Sequence, residues 1–171
     1  MKIVLLGYMG SGKSTLARLL AENLKYDIID LDDYIVEREG MSISELFEKK
    51  GEIYFRLQES KYLKEVLDME NNLILSLGGG TPCYANNMEV IKGRAHSFYL
   101  KASIETLCTR LRSEKAQRPL IASLEDDQLK EFVAKHLFER RNFYEQANAT
   151  ITIDHKNLEE LLREVLHRIK E

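Results

Sequence analysis

The sequence predicts an α/β protein built on a parallel sheet of about five strands, with helices on both faces. Three observations predict it. Short apolar runs alternate with longer segments of helical periodicity along the whole chain. The first run, "KIVLLG" (2–7), is continuously apolar, as a strand buried on both faces must be. No repeat, low-complexity tract or linker interrupts the alternation, so right-handed crossovers between parallel strands are the expected connections. The 171 residues suit one domain with a single well-buried core.

The elements follow in order. Residues 13–25 carry Leu16, Leu19, Leu20 and Leu24 at helical spacing. "YDIIDLD" (26–32) reads as a second strand ending in acidic residues, beside the first if the sheet is doubly wound. Residues 33–69 read as helix in several pieces, punctuated by Gly40 and Gly51, with Ser42 and Ser44 as caps. "NLILSLGGG" (72–80) is a third strand that stops at three glycines, and "AHSFYLKA" (95–102) a fourth. Residues 103–112 look helical, and "SEKAQRPLIAS" (113–123) is a polar loop holding one of the two prolines. Residues 125–146 form a helix and "ATITID" (149–154) a fifth strand. A closing helix over 157–170 shows Leu158, Leu161, Leu162, Val165, Leu166 and Ile169 on one face. Ligands of such sheets bind beyond the carboxyl ends of the strands.

Composition narrows the function classes. Apolar residues make up 44% and charged residues 31%, ordinary for a soluble globular protein. A net charge of −3 provides no bulk attraction to nucleic acid or an anionic membrane. No apolar run approaches the roughly 18–20 residues of a bilayer span. "IVLL" (3–6) is too short for a signal-peptide core, so a cytoplasmic chain is expected. The cysteines, Cys83 and Cys108, have no metal-like spacing and suggest no disulfide framework. His96, His136, His155 and His167 are scattered, and surface or capping roles are expected of them. No helix face looks spare, so a monomer is expected.

The chemistry starts in "LLGYMGSGKSTLARLL" (5–20). Gly7 to Ser14 fits G-x-x-x-x-G-K-[ST] between a strand and a helix, the pattern of a nucleoside-triphosphate loop. Glycines let backbone N–H groups converge on phosphate oxygens, and the helix N-terminus adds partial positive charge. The expected phosphate ligands are Gly10, Ser11, Gly12 and Lys13. Ser14 is expected on a Mg²⁺ ion and Thr15 near the α-phosphate.

Other strand ends supply further candidates. "DLDD" (30–33) offers Asp30 and Asp32, of which one could hold a Mg²⁺-bound water and the other orient or deprotonate an acceptor hydroxyl. Equally, Asp32 or Asp33 could cap the next helix. In "GEIYFRLQES" (51–60), spacing alone favours an exposed Arg56 paired with Glu52 or Glu59. "LGGGTP" (77–82) reads either as bare backbone for a ligand or as a tight turn. "RLRSEKAQRPLI" (110–121) places Arg110, Arg112 and Arg118 around a loop that either closes over phosphates or is simply solvated. The adjacent arginines of "ERRNFY" (139–144) cannot share a helix face, so at most one points into a site.

Taken in order, these motifs resemble the shikimate kinase family. The resemblance rests on "DLDDYIVEREG", "SISELFEKKGEIYFRLQE", "LGGGTP", "RPLI" and "RRNFYEQA" behind the nucleotide loop, and runs from Met1 to about Asp154. It implies a P-loop fold of the nucleoside-monophosphate-kinase type with a mobile lid, transferring the γ-phosphoryl of ATP to the 3-hydroxyl of shikimate, a step of aromatic amino-acid biosynthesis. It implies one kinase domain over 1–171, an acceptor-binding segment at about 32–62 and a lid at about 112–124. Lys13, Asp32 and Arg118 would be catalytic, and Asp30 would sit by the water shell of the Mg²⁺. Arg56 and Arg140 would clamp the shikimate carboxylate, Gly78, Gly79 and Gly80 would line its ring, and Phe47 and Phe55 would wall the pocket. Arg118 would close onto the phosphates and Arg110 lie near adenine. Three features depart from the family pattern. Asn142 stands where a proline is common, so Arg140 rather than Arg141 follows from counting back from Tyr144. The stretch from Arg110 to Arg118 is one residue longer than usual, and "DHKN" (154–157) lacks an arginine often found near adenine, which leaves open whether Lys156 takes its place. The alternatives are a sister small-molecule kinase such as a gluconate kinase, a nucleoside-monophosphate kinase, or a nucleotide-binding regulator without transfer activity.

Overall fold

In the computed structural model, residues 1–170 are described; Glu171, the last residue of the expected domain, lies outside them. The strands are Lys2–Leu6 (β1), Asp27–Asp30 (β2), Leu73–Ser76 (β3), His96–Lys101 (β4) and Ala149–Thr152 (β5). All neighbours pair in parallel, in the order β2-β3-β1-β4-β5. The helices are Lys13–Leu24 (α1), Leu31–Glu39 (α2), Ile43–Asp68 (α3), Asn87–Arg94 (α4), Ile104–Glu114 (α5), Asp126–Tyr144 (α6) and Leu158–Ile169 (α7). The apolar pattern does not announce α4, which follows a single 3₁₀ turn at Thr81–Cys83.

Burial explains the strand sequences. Ile3 to Leu6 and Leu73 to Leu75 are sealed from solvent because helices cover both faces of the central strands. Each such side chain contributes about 1.5–3 kcal/mol of burial. The edge strands β2 and β5 are only partly covered. On α7, Leu161 and Val165 are buried, and Leu162, Leu166 and Ile169 pack against the core from its flanks.

Two expectations about β2 are corrected. β3, not β2, lies beside β1, since the chain crosses over through α2 and α3 before returning to the centre of the sheet. β2 also stops at Asp30, whose side chain accepts from the backbone N–H groups of Asp32 (3.0 Å) and Asp33 (3.5 Å). Asp30 is therefore the N-cap of α2, while Asp32 and Asp33 lie in its first turn.

Ser42 caps α3 through a reciprocal box with Glu45, whereas Ser44 lies inside the helix. Gly51 breaks α3 with φ +86° and ψ 167°, a conformation that strains a residue carrying a Cβ. The Glu39 carboxylate accepts from both Tyr54 (2.8 Å) and Tyr62 (2.7 Å), tying the end of α2 to the second limb of α3.

The strand order sets the site. Ser76 is level with Leu5 on one side and Asp30 on the other, so three strands end together. The Leu77 N–H still bonds the Leu5 carbonyl at 3.1 Å, so the Gly78–Gly80 turn opens beside the loop that follows β1.

Candidate active site

Backbone makes the first half of the site. Gly10 and Gly12 have φ +81° and +87°, turning the loop so that α1 begins at Lys13. Among the described residues no side chain caps this helix, which leaves its first N–H groups available to an anion. Lys13 is buried, its ammonium donating to the carbonyls of Gly7 (2.8 Å) and Tyr8 (2.9 Å). Burial above all pulls its pKa down to about 8, with Asp32 and Asp30 pushing it back up. Among the described residues the buried Ser11 hydroxyl has no hydrogen-bond partner, and the Ser14 hydroxyl donates to an Asp30 carboxylate oxygen at 3.0 Å. A cleft of about 400 Å³ lies over this loop, lined also by Thr15, Asp32, Gly78, Gly79 and the three-residue set Arg110, Glu114 and Arg118.

Side chains make the second half. A smaller cavity of about 200 Å³ opens from the same turn. Arg56 enters it from the second limb of α3 and Arg140 from α6, with Phe47 and Phe55 on one wall. The two rings pack at 4.6 Å between centroids. Arg56 does pair with Glu59, at 2.8 Å, but as a largely buried couple on the pocket wall, not an exposed helix pair. The other Glu59 oxygen accepts from Thr81 at 2.7 Å. Tyr144 donates to the Gly79 carbonyl at 2.6 Å and so ties α6 to the glycine turn. Arg141 points away from the pocket, towards Glu145.

The three glycines make room for the protein's own charged groups. A Cβ on Gly80 would sit 2.6 Å from the Arg56 guanidinium, one on Gly79 3.0 Å from that of Arg140, and one on Gly78 3.0 Å from the Asp32 carboxylate. Asp32, Met9, Gly78 and Gly79 border both cavities. Burial, with Asp30 and Glu59 close by, pushes the Asp32 carboxyl up to about 6 against the pull of Lys13.

The model of the shikimate kinase family matches residues 9–170. A shikimate kinase from Flavobacterium johnsoniae is 47% identical over 96% of this chain and 96% of its own. The chain belongs to the shikimate kinase family. Solved members fit it closely. The crystal structure of shikimate kinase from Bacteroides thetaiotaomicron superposes with a TM-score of 0.93 at 36% identity, covering 100% of this chain and 99% of that one. The Acinetobacter baumannii enzyme in complex with shikimate gives 0.88 at 34%, covering 99% and 92%. A gluconokinase from Sinorhizobium meliloti, at 20% identity, 0.63, and coverage of 99% and 91%, shares the fold alone.

Against that family background, the structure brings Lys13, Ser14, Asp30, Asp32, Gly78, Gly79, Arg110 and Arg118 to one cleft, and Arg56, Gly80 and Arg140 to the adjoining pocket. Arg118 is held back by Glu114, at 2.7 Å, while the buried Ile121 anchors the segment that carries it. Arg110 donates to the Gly10 carbonyl at 3.3 Å and reaches a third cleft of about 290 Å³, between the start of α5 and His155. Lys156 is paired with Glu164 at 2.6 Å and does not line that cleft. Glu114, which lines the cleft, and His136, which lines the smaller cavity, carried no sequence signal as site residues. His136, expected on the surface or in a cap, instead lines the smaller cavity.

Proposed function

We propose that this protein transfers the γ-phosphoryl group of ATP to the 3-hydroxyl of shikimate, releasing ADP and shikimate 3-phosphate. One observation carries the reading: the Asp32 carboxylate borders both the cleft over the phosphate loop and the pocket that holds Arg56 and Arg140. A group placed there meets the acceptor hydroxyl where it faces the phosphoryl donor.

Arg56 and Arg140 offer two planar guanidinium forks to one carboxylate, a match for shikimate's only charged group. Phe47 and Phe55 pack on the ring, and the pair fixes the acceptor so that its hydroxyl points at Asp32. A carboxyl pushed up to about 6 is ionised at neutral pH yet basic enough to accept a proton. The hydroxyl oxygen bonds to the γ-phosphorus, the bond to the β-phosphate oxygen breaks with its electrons, and the hydroxyl proton passes to Asp32. Lys13 and Arg118 lend positive charge to the phosphoryl oxygens, Arg118 after leaving Glu114 as the lid closes. The Ser14 hydroxyl and Asp30 carboxylate are hard oxygen donors that fit a Mg²⁺ ion held mainly by phosphates and water. When bound, that ion would draw charge off the phosphates. The same reading makes residues 1–171 one kinase domain, with an acceptor-binding segment at about 32–62 and a lid at about 112–124, acting as a monomer in the cytoplasm.

The test is ADP release from MgATP by the purified protein, with shikimate, gluconate and AMP offered separately. Saturable release with shikimate alone is expected. Release with gluconate or AMP alone overturns the acceptor. Measurable ATP binding without release in any arm makes the protein a nucleotide-binding regulator.

A further inference from the structure

The phosphate loop sends one large side chain away from the nucleotide. Tyr8 is fully buried, and its hydroxyl lies 3.1 Å from Nδ1 of His136 on α6. The two rings meet edge to face at 5.9 Å, and Phe132, one turn earlier on α6, packs on His136 at 4.6 Å. Arg140, one turn later, holds its guanidinium carbon 5.8 Å from the centre of the Tyr8 ring. His136 and Arg140 are four apart on a helix, hence neighbours on one face, and both line the acceptor pocket.

The main chain of Tyr8 faces the other way. Its carbonyl accepts from the Lys13 ammonium at 2.9 Å and from the Ser11 N–H at 3.2 Å. One residue thus touches the lysine assigned to the phosphates through its backbone and the acceptor wall through its side chain. Phosphoryl transfer as described above uses neither Tyr8 nor His136. Their chemistry suits a fixed link. Burial pushes Tyr8 up to about 12, so its hydroxyl keeps its proton and can donate to Nδ1 of the imidazole tautomer protonated on Nε2. Burial and then Arg140 lower the pKa of His136, which keeps the imidazole neutral and able to accept.

We infer that Tyr8 and His136 are positioning residues that couple the two substrate sites. When phosphates draw Lys13 away from the Tyr8 carbonyl, the loop resettles. The Tyr8–His136 bond carries that shift to the face of α6 that presents Arg140 to the acceptor. Each substrate then binds more tightly when the other is present, and the gain is the same in both directions. The inference rests on the acceptor-site reading above.

The experiment titrates shikimate calorimetrically into the whole protein, with and without saturating MgADP. The readout is the ratio of the two dissociation constants, which a merely structural role would not move. Unaltered protein should give a ratio above one. Tyr8→Phe removes one oxygen and keeps the ring; it should lower the ratio by about two- to ten-fold, the range one hydrogen bond contributes. His136→Leu should do the same, and the double variant should go no further. His136→Asn, which keeps an acceptor at the Nδ1 position, should recover part of the ratio. If His136→Leu fails to fold, Tyr8→Phe still answers the question. A ratio of one in unaltered protein, or an unchanged ratio in Tyr8→Phe, overturns the coupling and leaves the acceptor site standing. A Tyr8→Phe protein that melts lower and binds more weakly in both arms, at constant ratio, overturns it too. No shikimate binding by unaltered protein removes the acceptor-site reading and the coupling together.

Discussion

The phosphate loop and the acceptor pocket share the Asp32 carboxylate, yet they are made differently. The loop is continuous: Gly7 to Ser14 delivers helix-terminal N–H groups, a lysine and a hydroxyl within eight neighbouring positions. The pocket is assembled from distant stretches, with Arg56 from α3, Gly79 from the turn after β3, Leu120 from the segment between α5 and α6 and Arg140 from α6. A backbone-made site recognises what all nucleotides share, their phosphates. A site made of side chains recognises one acceptor, and each of its groups can be changed alone.

Changes confined to one half should therefore act mainly on that half, with only the weaker Tyr8–His136 coupling reaching the other, while Asp32 should affect the chemistry that joins them. Asp32→Asn is expected to lower kcat by about 10²–10⁴-fold, the range of a lost general base, with both substrates still binding. Near-normal turnover in a steady-state assay would take Asp32 out of the reaction. Lys13→Ala should cost about 10²–10³-fold in kcat/KM for ATP, the scale of one lost charge-stabilising donor, and move shikimate affinity without nucleotide by no more than the about two- to ten-fold coupling inferred above. An equal loss in both would break the division into halves.

The pH profile sharpens the point. Asp32 is protonated, and unable to accept, below about 6, and Lys13 of the free protein loses its charge above about 8. The pH dependence of kcat/KM should rise through the first value and fall through the second, as a bell. In kcat the alkaline limb should move higher, because bound phosphates favour charged lysine.

A smaller effect runs in the opposite direction. The Asp32 pKa is raised in the fold, so the folded protein binds this proton more tightly than the unfolded chain, and stability falls as pH rises from about 4 to about 6. Asp32→Asn should remove that cost of about 3 kcal/mol at pH 7 and raise Tm by roughly 8 °C. The gain should vanish below about pH 4. A melting curve lower than that of the unaltered protein at pH 7 would mean that the carboxylate stabilises the fold.

What was legible in the sequence follows the same division. Continuous apolar runs gave away the buried strands, and the phosphate loop was readable because its spacing is local. Strand order was not, since nothing in "YDIIDLD" says that β3 will come between β2 and β1. The cap of α2 was misplaced because Asp30, Asp32 and Asp33 are chemically alike, and only backbone direction picks Asp30. Spacing alone favoured an exposed Arg56, because an i, i+3 pair with Glu59 looks the same in sequence whether buried or solvated. His136 gave no signal, since its partner Tyr8 lies 128 positions away. The three glycines read as bare backbone and do line the cavities, but nothing in "LGGGTP" shows that Arg56, Arg140 and Asp32 lie where their Cβ atoms would be.

The most direct test of the account is paired titration of Arg56→Ala, with shikimate alone and with MgATP alone. Arg56 donates to the buried Glu59, so the thermal melt is recorded alongside. The account predicts shikimate affinity weakened by about 10-fold or more, the cost of one charged hydrogen-bonding partner, and MgATP affinity within about two-fold of the unaltered protein. Unchanged shikimate affinity, or an equal loss for both ligands in a folded protein, would contradict it.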